Sequence, residues 1–459
     1  MKYIDLFAGC GGLSLGLEAA GLKLALAVEK SPMAAETFYH NLISPLKNGQ
    51  QWETYRQDQE KQIRQKLFVG EIGQLLENPD LISHIGNIDL VTGGPPCQGF
   101  SLAGKRNPMD QRNNLPFQFI KYIENFEPKA FLMENVVGMR HNFTGHGETA
   151  AFHQIRQHME EQHGYIVQEL QLNAMHYGVA QHRPRVFLLG IRGDIAKDKK
   201  LVATDHTWHS DDYYKQGDVP PMCPKPVIRK TDKWNFVEDA IHDLDKHETM
   251  SSDKTYVSRI NKTLGKNVKT RAKLSRNPED HANHVERRHS TQVKKRFALY
   301  HVLNPVIFNL AAEYNDASGS AEKTRIRRKI NKMIMDDAVP DEYMLPNNDR
   351  VYKDKEELKK IVIDLATKKH SQRALNTKAP SPTVVSIPDD VVHPTLPRTM
   401  TVREQARFQS FPDNFVFRGK VTTGGQMRKV DVPQYTQVGN AVPPMLAYSL
   451  AMHIKKLIE

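Results

Sequence analysis

The chain has 459 residues, 39% hydrophobic and 25% charged, with a formal net charge of +11. That length suits more than one domain of roughly 100–200 residues, and the apolar content excludes a disordered polyelectrolyte. No run of about 18 apolar residues occurs, which excludes a membrane-spanning helix.

In chain order, residues 1–192 alternate strand-like and helix-like segments. Residues 3–7 predict a strand, 12–20 a helix, 24–28 a strand and 32–42 a helix with proline in its first turn. A polar, Gln-rich insertion at 47–66 predicts a surface helix. Residues 88–92 predict a buried strand, 115–126 a helix, and 130–135 and 185–191 further strands. This is the βαβ rhythm of a doubly wound parallel sheet, an α/β Rossmann-like fold. The rhythm stops after Ile191, and residues 195–370 are polar and basic with no internal repeat. A smaller second domain is expected there. Within it, residues 251–300 carry 13 Lys and Arg against 4 acidic residues. That surplus suits a polyanion, although a solvated face is the plainer alternative. Residues 398–415 have helical spacing with Thr401 and Glu404 placed as a capping box, and 440–458 predict a terminal helix.

The cysteines Cys10, Cys97 and Cys223 are odd in number and far apart, with no zinc-like Cys spacing. Neither a disulfide framework nor a metal site is expected. The opening MKYIDLFAG lacks a signal-peptide layout. A reducing cytoplasm is the expected compartment, with nucleoid association if the source is bacterial.

Four constellations carry chemistry. First, DLFAGCGGLSLG (5–16) follows a strand and opens a helix, and Gly9 and Gly11 let the backbone approach a ligand closely. Ser14 breaks a full GxGxxG. Glu29 ends the next strand, where a carboxylate can accept ribose hydroxyls. Second, GGPPCQGFS (93–101) holds Cys97 on a proline-stiffened loop at a strand's carboxyl end. It reads as a reactive thiol or as a small buried hydrophobe. Third, Glu134 closes the 130–135 strand, positioned to trade a proton or to cap structurally. Fourth, Gln181, Arg183 and Arg185 alternate, so in a strand they share one face. They could hold a planar heterocycle or a phosphate, or face solvent.

Taken together, DLFAGCGGLSLG, Glu29, GGPPCQGFS, MENV, QHRPR, RTMTVREQARFQSFPD and QVGNAVPP resemble, in order, the cytosine-C5 DNA methyltransferase family. The resemblance covers most of 1–192 and 373–459 and implies a catalytic domain, 1–192, completed by about 425–459. A target-recognition domain is implied at 193–424. It implies S-adenosylmethionine as methyl donor, with S-adenosylhomocysteine as product, and a cytosine flipped from double-stranded DNA. Cys97 would be the nucleophile, Glu134 the proton donor, and Arg183 and Arg185 would orient the base and thiol. Phe7, Gly9, Gly11, Leu13, Glu29, Glu71, Ile72, Pro96, Leu115 and Asn440 would hold the cofactor. Gln98, Ser101 and Gln181 are expected at the DNA, as are Lys294, Lys295 and Arg296. His176 and Ala180 stand where the family often has Asp and Pro. A monomer is expected, with a cognate restriction endonuclease acting separately. The alternatives are a tRNA cytosine methyltransferase on the same fold, or an NAD-linked oxidoreductase.

Overall fold

The structure, a computed structural model, describes residues 1–96, 115–140, 151–244, 255–270, 280–336, 339–345, 349–367, 372–425, 427 and 430–459. Its apolar, β-branched runs form one eight-stranded sheet. The strands are β1 (Lys2–Leu6), β2 (Lys23–Glu29), β3 (Leu67–Val69), β4 (Leu90–Gly93), β5 (Ala130–Asn135), β6 (Tyr165–Asn173), β7 (Pro184–Arg192) and β8 (Trp208–His209). Their order is β3-β2-β1-β4-β5-β7-β6-β8.

All neighbours pair parallel except β7, which is antiparallel to both β5 and β6. The doubly wound sheet expected from the sequence is thus mostly parallel and carries one antiparallel strand. Only residues 174–183 join β6 to β7, too few for a parallel crossover. Neither β6 nor the helix Ala151–Glu161 before it is among the predicted elements. Gln168, Glu169 and Gln171 interrupt the apolar signal of β6.

Alternation along the strands sends side chains to two apolar layers. One face carries Ile4, Leu6, Val91, Phe131 and Met133 under Leu115–Phe126 and Ala151–Glu161. The other carries Tyr3, Leu90 and Leu132 under Gly12–Ala19 and the terminal helix Pro444–Ile458. Those two helices touch closely at Gly16, where a Cβ would sit 2.5 Å from the Cβ of Ala447.

The insertion at 47–66 is more than a surface helix. It forms Gly49–Arg56 and Gln59–Arg64, capped by Asn48 and Asp58. Trp52 and Tyr55 are buried against Tyr39, and the Tyr55 hydroxyl donates to the Leu67 carbonyl at 2.5 Å. The apolar aromatic pair anchors the insertion beside β3.

The core does not stop at residue 192. Val237, Ile260, Leu264, Leu375, Val402 and Phe408 share the apolar layer of Leu15 and Leu446. A second, separate apolar cluster draws on the helices Thr291–Val302, Pro305–Asp316, Ser320–Asp336 and Lys355–Asp364, plus Val392. The end of the βαβ rhythm therefore does not mark the end of the packed core.

Candidate active site

The strand order reverses between β1 and β4, the switch point where open α/β sheets bind ligands. Leu6 and Gly93 pair there. A Cβ on Gly93 would lie 2.1 Å from the Leu6 carbonyl oxygen, so the two strands could not approach this closely with another residue. A cavity of about 820 Å³ opens over these strand ends. That size is within the ~300–1,000 Å³ usual for small-molecule sites.

The loop after β1 shapes one wall. Phe7 adopts φ 59 and Gly9 φ 57, both left-handed. For Phe7 this conformation is strained, as functional loops often are. The turn aims the Gly9 N–H at Glu29 Oε2 (2.8 Å), while Ser31 N–H donates to Glu29 Oε1 (2.7 Å). Each oxygen keeps a further lone pair to accept a ligand hydroxyl. Burial raises the Glu29 carboxyl, and the two backbone donors pull it back.

Leu13, Ile72, Pro96 and Leu115 add apolar surface, and Asn440 closes one side at the end of the helix Gln434–Asn440. Glu71 lies at the rim, exposed, paired with Lys30 at 2.7 Å. Gly11 stands behind the lining rather than in it. Its φ of 95 starts the helix, and a Cβ would meet Leu42 Cδ1 at 2.7 Å.

The opposite wall is polar. Glu134 receives Arg185 Nε at 3.1 Å, both side chains nearly buried. Burial raises the Glu134 carboxyl, opposed first by Arg185 and then by Arg183. A carboxyl held up by burial can keep a proton and deliver it to a bound base. Arg183 is buried and donates to the carbonyls of Val384 (3.2 Å), Gly439 (2.9 Å) and Ala441 (3.1 Å). It thereby ties the β7 entry to the QVGNAVPP segment. Asn135 Nδ2 donates to the Pro95 carbonyl at 3.1 Å, fixing the loop that leads to Cys97.

Cys97, Gln98 and Ser101 lie outside the described residues. The other two cysteines, Cys10 and Cys223, are buried, and burial pushes each thiol up to about 12. Neither is a ready thiolate at neutral pH.

One expectation changes. β7 begins at Pro184, so only Arg185 lies on the strand, and Gln181 and Arg183 precede it rather than sharing one strand face with it. Gln181 is fully buried, donating to Gln409 Oε1 (2.9 Å) and the Phe408 carbonyl (3.2 Å) and accepting from Val384 N–H (2.9 Å). It is an internal brace, not a surface group for DNA. Lys294, Lys295 and Arg296 are half-buried on Thr291–Val302, in the second cluster and away from the cavity.

Asp5 also lines the cavity and was not among the sequence candidates. It is buried in β1, accepts from Ser14 Oγ at 2.6 Å, and burial lifts its carboxyl to about 7. Its place in the DLF run before the glycine loop was the available signal.

The family model described as C-5 cytosine-specific DNA methylase matches residues 1–456. The chain belongs to that family. It is a DNA cytosine-5 methyltransferase. The chain is 31% identical over 486 residues to Type II methyltransferase M.AgeI of Thalassovita gelatinovora, covering 100% of both. It is 29% identical to Type II methyltransferase M.DdeI of Desulfomicrobium norvegicum, covering 100% of this chain and 89% of that one. Among solved structures, a protein described as a prophage-encoded DNA modification methyltransferase (E. coli) superposes with a TM-score of 0.57 at 22% identity. That alignment covers 100% of the methyltransferase and 99% of the other chain.

Proposed function

We propose that this methyltransferase transfers a methyl group from S-adenosylmethionine to C5 of a cytosine flipped from duplex DNA. The observation that carries the reading is Glu134. It is a buried, raised carboxyl beside Arg185, at the same sheet edge as the loop that leads to Cys97.

The cavity fits the cofactor. Glu29 has both oxygens preset by backbone donors and would take the ribose hydroxyls. Glu71 would accept the adenine amino group between Ile72 and Leu115. Phe7, Gly9, Leu13, Pro96 and Asn440 complete the cradle. When bound, the sulfonium supplies an electrophilic methyl group.

The chain's own residues do the rest. The Cys97 thiolate adds to C6 of cytosine, forming a C–S bond while Glu134 gives a proton to N3. The ring becomes an enamine nucleophilic at C5. After methylation, C5 loses its proton to a base, the C–S bond breaks, Cys97 leaves as thiolate and N3 returns its proton to Glu134. Arg183 and Arg185 hold the base and Glu134 in place. Gln98 and Ser101, next to the nucleophile, would face the DNA. The helices of the second apolar cluster, with Lys294, Lys295 and Arg296, would form the recognition part. The names of the relatives support a role as the modification enzyme of a Type II restriction–modification system. In this reading it acts as a cytoplasmic monomer beside a separate endonuclease.

Duplex DNA with 5-fluorocytosine at the target tests the chemistry. Fluorine cannot leave C5 as a proton does, so a covalent complex should survive denaturation. Cys97→Ser should form none. If the parent enzyme with cofactor leaves no such complex, the covalent mechanism is wrong. The target itself is found by sequencing methylated DNA from a methylation-free host.

A further inference from the structure

We propose that Glu124, His158 and His163 form a binding site for a divalent transition-metal ion of the zinc class. The cysteine spacing gave no metal site; this one uses histidines. Glu124 lies in the last turn of Leu115–Phe126, His158 in the last turn of Ala151–Glu161, and His163 just before β6.

Three ligand atoms converge. His158 Nε2 and His163 Nε2 are 3.3 Å apart. Glu124 Oε1 is 3.4 Å from the first and 3.2 Å from the second. Zinc bonds of ~2.0–2.1 Å at a tetrahedral angle hold donor atoms about 3.3–3.4 Å apart. Right-angled octahedral bonds of that length would hold them nearer, at about 2.9 Å. The near-equilateral triangle thus has the tetrahedral size. Two imidazoles and one carboxylate suit zinc better than calcium or magnesium, which take oxygen ligands. The pair His158 and His163 also has the His-x4-His spacing of zinc sites.

Hydrogen bonding alone satisfies this triangle poorly. If both Nε2 atoms carry protons for the carboxylate, two N–H groups confront each other at 3.3 Å. If one Nε2 is bare, it accepts from the other but opposes the carboxylate with a lone pair. A cation at the centre resolves all three pairs. The three side chains are between 28% and 42% exposed, which leaves a fourth position open to water.

The site lies at the end of the sheet opposite the cavity, since Glu124 precedes β5 and His163 precedes β6. Its effect is to clasp the two helices that cover one face of the sheet. It contributes stability, not chemistry.

The test starts from chelator-treated full-length enzyme with its thiols reversibly blocked, so that Cys97 cannot bind the ion. Co²⁺ and Zn²⁺ are titrated, with Mg²⁺ as control. One equivalent of Co²⁺ should bind with the intense visible absorption of a tetrahedral site. Zn²⁺ at a hundredfold excess over its Kd should raise Tm by about 3 °C. The triple variant Glu124→Gln, His158→Gln, His163→Gln should lose both signals while keeping its circular dichroism. Should it fail to fold, His163→Asn alone must abolish the tetrahedral cobalt spectrum. Absence of stoichiometric binding, or binding that persists in a folded variant, overturns the proposal.

Discussion

Of the three cavity carboxyls raised by burial, Asp5, Glu29 and Glu134, two differ sharply in consequence. Glu134 faces arginines, and in the proposed reaction it gives a proton. Glu134→Gln should lower the single-turnover rate by ~10²–10⁴ and leave DNA affinity nearly unchanged, because an amide bonds but does not supply that proton. A rate within about threefold of the parent contradicts this role. Asp5 instead bears on stability. Its value rises from 3.8 to about 7 on folding, so the folded chain holds the proton through that window. Stability from this group is fully present below the unfolded value and is lost as pH rises toward 7. Asn cannot ionise, so Asp5→Asn should be more stable than the parent at pH 8, by at most about 4 kcal/mol, and nearly equal at pH 4. Thermal unfolding of both proteins across this range, without cofactor, reads the difference. Parallel Tm–pH curves would contradict it.

At the scale of elements, the helix Val402–Phe408 shows how a local signal and a tertiary one combine. Thr401 accepts from Glu404 N–H at 3.2 Å, and Glu404 Oε2 accepts from Thr401 N–H at 2.7 Å. This capping box was legible from the spacing of two residues. The same Glu404 also receives Arg398 in a bidentate pair at 2.9 and 2.7 Å, fully buried. Arg398 and its neighbours hold that carboxyl far below its ordinary range. No spacing rule revealed that pair. Thr401→Ala removes the side-chain cap but spares the ion pair. It should cost ~1 kcal/mol in chemical denaturation, the usual worth of a cap. A loss several times larger would mean that the cap also holds the Arg398–Glu404 pair together.

At the scale of the molecule, the second apolar cluster packs its own core apart from the sheet and carries the basic helix Thr291–Val302. Arg296 lies over the Phe297 ring at 5.7 Å, so part of its side chain packs while the charge remains. Neutralising Lys294, Lys295 and Arg296 together should weaken DNA binding on every sequence alike. Each lost phosphate contact should flatten log affinity against log salt by ~0.9. The methylated motif should stay the same, because phosphate contacts position and base contacts specify. An unchanged salt slope would make this helix a solvated face. A changed motif with an unchanged slope would make it a reader of bases.

The sequence by itself determined the sheet's parallel half and the glycine turn and carboxylate of one cavity wall. Strand alternation, the glycine turn after β1 and a carboxylate at the end of β2 are local features, set by sterics and periodicity within a few residues. Only the tertiary structure decided the rest. It reversed β7, buried Gln181 as a brace, brought Asp5 to the cavity and carried the core past residue 192 to Val268 and from Leu375 onward. It also gathered Glu124 to His158, 34 residues away in sequence, and to His163 beyond it. Each depends on which surfaces meet, and long-range contact is fixed by packing two apolar layers onto one sheet, not by the order of residues along it.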